Sequence, residues 1–170
     1  MTTKRNHAAD KPIRSARTYF QHRQPSGARP ANEENPLTLS TTFPADYGTA
    51  RERFREAAQH LGWRLEAHPI EAVGPSEEQL TIDVACSATG DADNVLVISS
   101  GLHGVEGFFG SAVQTALLER WASWAPPPVR CVFLHALNPY GFAWIRRPNE
   151  DNVDLNRNFL LPDEAFEGAP

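Results

Sequence analysis

Two stretches of this chain carry residues whose types and spacing could do chemistry. In SSGLHGVEGFFGS a histidine and a glutamate, His103 and Glu106, stand three residues apart in a Gly-rich turn behind an apolar run. An i to i+3 pair at a helix start shares one side, so the imidazole and the carboxylate could hold one Zn2+ through N and O at about 2.0 to 2.2 Å. Two other readings compete. A glutamate in a first helical turn is favoured by the helix dipole alone. An HG loop behind a strand can serve as an oxyanion loop, but that requires a G-x-S-x-G nucleophile elbow, which the sequence lacks. On these residues alone, metal binding and helix capping both stay open.

The second stretch, NPYGFAWIRRPNEDNVDLNRNF, runs from Asn138 to Phe159, dense in Asn, Arg and Asp and without sustained period. It reads as functional loop. A guanidinium offers a planar fork of donors matched to a carboxylate, which Lys does not, so the arginines are candidates for anion recognition. Ligands in open α/β sheets bind beyond the carboxyl ends of the strands, and both stretches leave such ends in sequence order, so they are expected to face one cleft.

Taken together, HGVE and the DLNR loop resemble the zinc carboxypeptidase family, the carboxypeptidase A-like metallopeptidases, whose members carry H-x-x-E, then N-P-D-G, then an Arg before D-x-N-R. The likeness covers roughly residues 80 to 160 and is closest to the short-loop bacterial members, including murein peptide amidases. The aspartoacylase and succinylglutamate desuccinylase branch is similar in the same respect. The resemblance implies that His103 and Glu106 are zinc ligands and that Asp154 accepts from the other ring nitrogen of His103, fixing its tautomer. It implies that Arg147 polarises the scissile carbonyl and that Asn156 and Arg157 hold a substrate carboxylate. Arg146 competes with Arg147 for that role. Asn138 and Gly141 are read as shaping the turn, and His135 is a weaker candidate for a third ligand. The remaining histidines, His7, His22, His60 and His68, read as tail or surface residues, and Glu150 and Asp151 as acidic neighbours without a matched role.

The chain departs from the family in two places. Tyr140 stands where the family has Asp, which touches loop geometry. More importantly, a catalytic zinc site has three protein ligands plus water, and the family's third His and general-base Glu follow D-L-N-R, where this sequence ends in LPDEAFEGAP. The resemblance is therefore to an N-terminal half. It implies a zinc-dependent hydrolase cleaving an amide bond beside a carboxylate-bearing residue, acting on a peptide or N-acyl amino acid, and needing a complementing C-terminal half. The competing reading is a non-catalytic fragment or binding module that keeps the carboxylate-recognition loop.

The elements that position these residues are legible as periodicity. In FPADYGTARERFREAAQHLGW, Ala50, Phe54, Ala57 and Leu61 keep a helical period, with Asp46 or Thr49 as cap and Gly62 as stop. LTIDVACS alternates Leu80, Ile82 and Val84 against Thr81 and Asp83, predicting a strand with Asp83 on the exposed face. NVLVISS is a continuous apolar run, predicting a central strand covered on both faces. After Glu106, the spacing of Phe109, Ala112, Val113, Ala116 and Leu117 predicts a helix burying that stripe and ending before APPP. VRCVFLHAL is another buried strand, so strand, helix and strand form a βαβ unit with parallel strands. The expected fold is α/β, a three-layer carboxypeptidase-like, mixed and largely parallel sheet with flanking helices, incomplete in this chain.

Composition sets the outer bounds. With 170 residues, 41% hydrophobic and 22% charged, the chain suits one soluble globular domain. Residues 1–38 carry seven Lys/Arg against three Asp/Glu and few apolar anchors, reading as a disordered basic leader, while 39–170 carry nine against 18. An acidic body argues against nucleic acid as a partner. Cys86 and Cys131 fall in strands and read as core thiols in a reducing, cytoplasmic setting. No apolar run approaches the roughly 20 residues that span a bilayer, so no membrane role is expected.

Overall fold

A computed structural model describes residues 43–88, 91–124, 127–161 and 164. They belong to the second of two units into which the chain divides, Leu37–Pro170. The leader expected over 1–38 lies outside the described residues.

Helix α1 (Tyr47–His60) starts where Asp46 accepts a hydrogen bond from the Thr49 amide at 2.7 Å, and the chain leaves it through Gly62 at φ +67°. That conformation is one a Cβ would oppose. Strands β1 (Arg64–Val73) and β2 (Gln79–Cys86) follow as an antiparallel pair. Then come β3 (Asp91–Ser99), a 3-10 turn (Gly104–Glu106), α2 (Gly107–Trp121), β4 (Val129–His135) and a five-residue helix α3 (Pro139–Ala143). The sheet order is β1-β2-β4-β3, with β3 and β4 parallel and β2 and β4 antiparallel. The fold is thus mixed α/β, with a four-stranded mixed sheet and the βαβ unit expected from β3, α2 and β4. Among the described residues, antiparallel pairs outnumber parallel ones, because the only crossover helix is α2.

Both long helices lie on one face of the sheet. Asp83 and His135 are directly paired across β2 and β4. Asp83 receives Arg51 and Arg55 of α1, and His135 receives Ser111 of α2 while stacking on Phe54 of α1. A two-layer arrangement therefore stands where three layers are expected, since no described element covers the other face. Phe54, Leu118 and Phe133, each fully buried, centre the core with Ala58, Ala85, Cys131 and Trp63. Burial of each large side chain contributes roughly 1.5–3 kcal/mol.

Three pattern expectations are reversed in part, although Leu80 and Ala112 are buried as expected. On β2 the buried face carries Thr81, Asp83 and Ala85, while Ile82 and Val84 are half-buried. Ion pairing explains this: the fully buried Asp83 carboxylate is held by Arg51 Nε at 2.8 Å, by Arg55 and by the Thr81 hydroxyl at 2.8 Å, so its charge enters the core compensated. On α2 the buried face carries Ser111, Gln114 and Thr115, while Phe109 is 65% exposed and Val113 is also exposed. Gln114 donates to the Ile98 and Leu134 carbonyls at 3.0 and 3.1 Å and accepts from Ser100, stitching β3 to β4. Finally, β3 is an edge strand, with Val97 55% and Leu96 44% exposed. Its apolar run calls for neighbours that the described residues do not contain.

Candidate active site

The parallel ladder between β3 and β4 ends in backbone bonds that set two loops side by side. Leu137 donates to the Ser100 carbonyl at 2.9 Å and Asn138 to that of Gly101 at 2.8 Å. The chain then turns into HGVE on one side and α3 on the other. Gly104 and Gly141 meet backbone to backbone: a Cβ on Gly104 would lie 1.9 Å from the Gly141 carbonyl carbon, and one on Gly141 would lie 2.7 Å from the Arg146 oxygen. The Val105 amide donates to that same Arg146 oxygen at 3.2 Å. Only glycine at both places permits this approach, and it brings the Arg146–Arg147 segment against the His103 turn.

His103 is 7% exposed and bonded at both ring nitrogens. Nε2 lies 3.0 Å from Asp154 Oδ1, and Nδ1 lies 3.1 Å from Glu106 Oε1. Asp154 is bound further, taking Arg147 Nε on Oδ2 at 3.0 Å and the Asn156 amide on Oδ1 at 3.0 Å. Desolvation works against its charge, but the hydrogen bonds from Arg147, His103 and the Asn156 amide outweigh it and hold its carboxyl below the usual carboxylate range. An ionised Asp154 requires His103 Nε2 to be the donor. Nδ1 then turns toward Glu106, and the gap between that nitrogen and the carboxylate must hold a proton or a cation. Two tetrahedral zinc ligands at about 2.0–2.1 Å from the ion sit roughly 3.3 Å apart, close to this separation. The spacing of this donor pair is therefore one that zinc would accept, with Asp154 on the other nitrogen of the imidazole.

Other candidates fall elsewhere. Arg146 donates to Asn152 Oδ1 at 3.1 Å and lies over the Tyr140 ring, so of the two arginines it is Arg147 that joins the cluster. Tyr140 also packs on Trp144 within the same loop. The side chains of Asn156 and Arg157 are exposed, and what ties them to the site is backbone: their amides donate to Asp154 Oδ1 and to its carbonyl. His135 is fully buried, with Nε2 2.9 Å from Ser111 Oγ and Nδ1 without a partner. Burial pushes its pKa down to about 4, with Asp83 and Arg51 acting in opposite senses. It stands away from His103. His60 and His68 are exposed. Among the described residues no group of three or more His, Cys, Asp or Glu converges on one metal position.

The sequence reading missed Asn149, whose Oδ1 accepts from the Val153 amide at 2.8 Å and folds the loop that delivers Asp154. It also missed the buried Gln114 and Ser111, because polar residues inside an apolar helix carry no periodic signal. Beside Glu106 runs a groove of about 350 Å³, lined by Ile98, Leu102, Phe109 and Val113.

Fold and site together define a mixed α/β protein with a His, Glu, Asp and Arg cluster at the carboxyl ends of two adjacent parallel strands. The chain belongs to the DUF2817 family, described as a protein of unknown function, whose model matches residues 43–169. No curated protein sequence matches it. Among solved structures, glutaminyl cyclase from Fimbriiglobus ruber is similar at 16% identity and a TM-score of 0.39, over 57% of this chain and 41% of that one. Glutaminyl cyclase from Macrostomum lignano is similar at 13% identity and a TM-score of 0.39, over 57% and 35%. The chain thus spans less than half the length of either. Among the described residues no helix is long and apolar enough to cross a membrane.

Proposed function

We propose that this chain carries part of the active site of a zinc-dependent hydrolase of the metallocarboxypeptidase type, which cleaves an amide bond next to a carboxylate-bearing residue. The observation that carries this reading is His103 bridging Glu106 and Asp154 through its two ring nitrogens. His103 Nδ1 and Glu106 would hold the ion. The chemistry such an ion supplies is Lewis acidity toward a carbonyl oxygen and a lowered pKa for water. Asp154 keeps the Nε2 proton in place, so the lone pair of Nδ1 stays aimed at the Glu106 side. Arg147 is anchored to Asp154 through Nε, which leaves its terminal nitrogens to face the oxyanion that develops as the carbonyl is attacked. Asn156 and Arg157, exposed beside the cluster, would receive the substrate carboxylate in a peptide or an N-acyl amino acid.

Two ligands make half a site, and the reading includes a complementing C-terminal half. The bare, uncharged edge of β3 from Val95 to Ser99 supports it, as does the apolar groove beside Glu106. The opposite edge strand, β1, carries Glu66, His68, Pro69 and Glu71 and a register shift, the usual protection of an edge. A three-layer carboxypeptidase-like sheet would follow from covering β3 and its exposed face. The two thiols, Cys86 and Cys131, are free, in keeping with a cytoplasmic setting. A second reading, a non-catalytic module that binds free carboxylates, is favoured by the two-ligand count among the described residues.

Metal analysis and zinc titration calorimetry of the purified chain test the first reading. Zinc binding to the native chain is expected, with loss in His103→Ala and Glu106→Gln. No zinc in the native chain, or equal zinc in His103→Ala, sinks it. Peptides with free C-termini and N-acyl amino acids then test the second reading: binding is expected, and measurable hydrolysis by the chain excludes a non-catalytic module.

A further inference from the structure

Asn138 stands at the end of β4, 1% exposed, and uses every polar group it has. Its backbone amide donates to the Gly101 carbonyl at 2.8 Å, and its own carbonyl accepts from Phe142 at 3.0 Å. The side-chain oxygen accepts from the Gly141 amide at 2.7 Å, capping α3, and the side-chain nitrogen donates to the carbonyl of Arg147 at 3.2 Å. One amide group therefore grips both the start of α3 and the backbone of the arginine nine residues on. From Arg147 the connection continues without a break: Nε to Asp154, Asp154 to His103, and His103 to Glu106.

From this geometry we infer that Asn138 is a positioning residue, whose side-chain amide sets the Arg147 guanidinium in register with His103. The inference rests on the reading of Arg147 as the oxyanion-facing group. Shape and chemistry single out asparagine. Aspartate has the same size and would keep the cap on Gly141, but it has no N–H for the Arg147 carbonyl and sets a carboxylate oxygen against it. Serine would keep a cap and fail to reach. Alternative anchors for Arg147 are weak, because its side chain is 53% exposed and holds the protein through one Nε contact. A guanidinium placed to within a fraction of an ångström must have its backbone fixed, since positioning errors of about 1 Å can cost on the order of 100-fold in rate.

The test is 15N NMR of the full chain. Native protein is expected to show a slowly exchanging Nε–H resonance for Arg147, assigned by its absence in Arg147→Lys. In Asn138→Asp that proton should exchange at least about tenfold faster, the equivalent of one lost hydrogen bond, while the Gly141 amide and the near-UV circular dichroism stay native. Asn138→Ser should behave the same way. An Arg147 signal equally protected in either folded variant overturns the inference, as does a native chain with no protected Arg147 Nε–H. Unfolding of both variants also overturns it, since the side chain would then hold the fold rather than the guanidinium. Zinc titration on the same samples reads the metal centre separately, so absence of zinc binding counts against the hydrolase reading and leaves the Arg147 resonance to decide this one.

Discussion

Acid should unlock this fold through His135. The imidazole is fully buried, stacked on Phe54 at 4.5 Å between centroids, and its pKa lies at about 4 instead of 6.5. Burial is the dominant cause; the Asp83 carboxylate from β2 raises the value and Arg51 from α1 lowers it. Because Nδ1 has no partner, a second proton would have nothing to bond. The folded pKa is depressed for a base, so the stability is whole above the unfolded value near 6.5 and is lost as pH falls toward 4. The full loss is roughly 3 kcal/mol, at 1.36 kcal/mol per pKa unit, and about 2 kcal/mol of it arrives between pH 7.5 and 5. Urea denaturation at pH 7.5, 6 and 5 measures it against His135→Gln, which cannot take up the proton. The native protein should lose about 2 kcal/mol more than the variant over that range. Parallel losses in the two proteins, or a folded-state His135 resonance titrating near pH 6.5, would refute the reasoning.

Gly104→Ala should destabilise by about 2 kcal/mol or more, because its Cβ meets Gly141 backbone that no rotamer can relieve; denaturant midpoints read this, and an unchanged midpoint contradicts the close contact. Asp83→Asn should cost about 2 kcal/mol, below the usual figure for a broken buried pair, because Arg51 and Arg55 are about 30% exposed and can turn to water. The same urea curves at pH 7.5 show it. Val97→Lys on the bare edge of β3 should suppress self-association of the isolated chain, read by sedimentation velocity. Association that persists at the same concentration would locate the adhesive surface elsewhere.

Local signals were legible wherever a residue acts on its own neighbours. Asp46 caps α1, Gly62 ends it, and β3, α2 and β4 make the expected parallel unit, since caps, breakers and crossover lengths depend on a few adjacent residues. The pairing of His103 with Glu106 belongs to the same class, an i to i+3 relation at a helix start. Which face is buried was not legible. The expectation that Ile82, Val84, Phe109 and Val113 point inward weighs apolarity alone, yet Asp83 and Gln114 occupy those inner positions because distant partners satisfy them.

By itself the sequence determined α1, β2, β3, α2 and β4, their order and the residue types at the site, because backbone propensity and periodicity are properties of short stretches; β1 and the five-residue α3 were not read from it. Only the tertiary structure decided that Arg147 rather than Arg146 meets Asp154, and that His135 lies sealed in the core away from His103. Adjacent arginines are indistinguishable as a string. What separates them is the close backbone approach of Gly104 to Gly141 and the grip of Asn138 on the Arg147 carbonyl, contacts between residues far enough apart in the chain that only folding brings them within bonding distance.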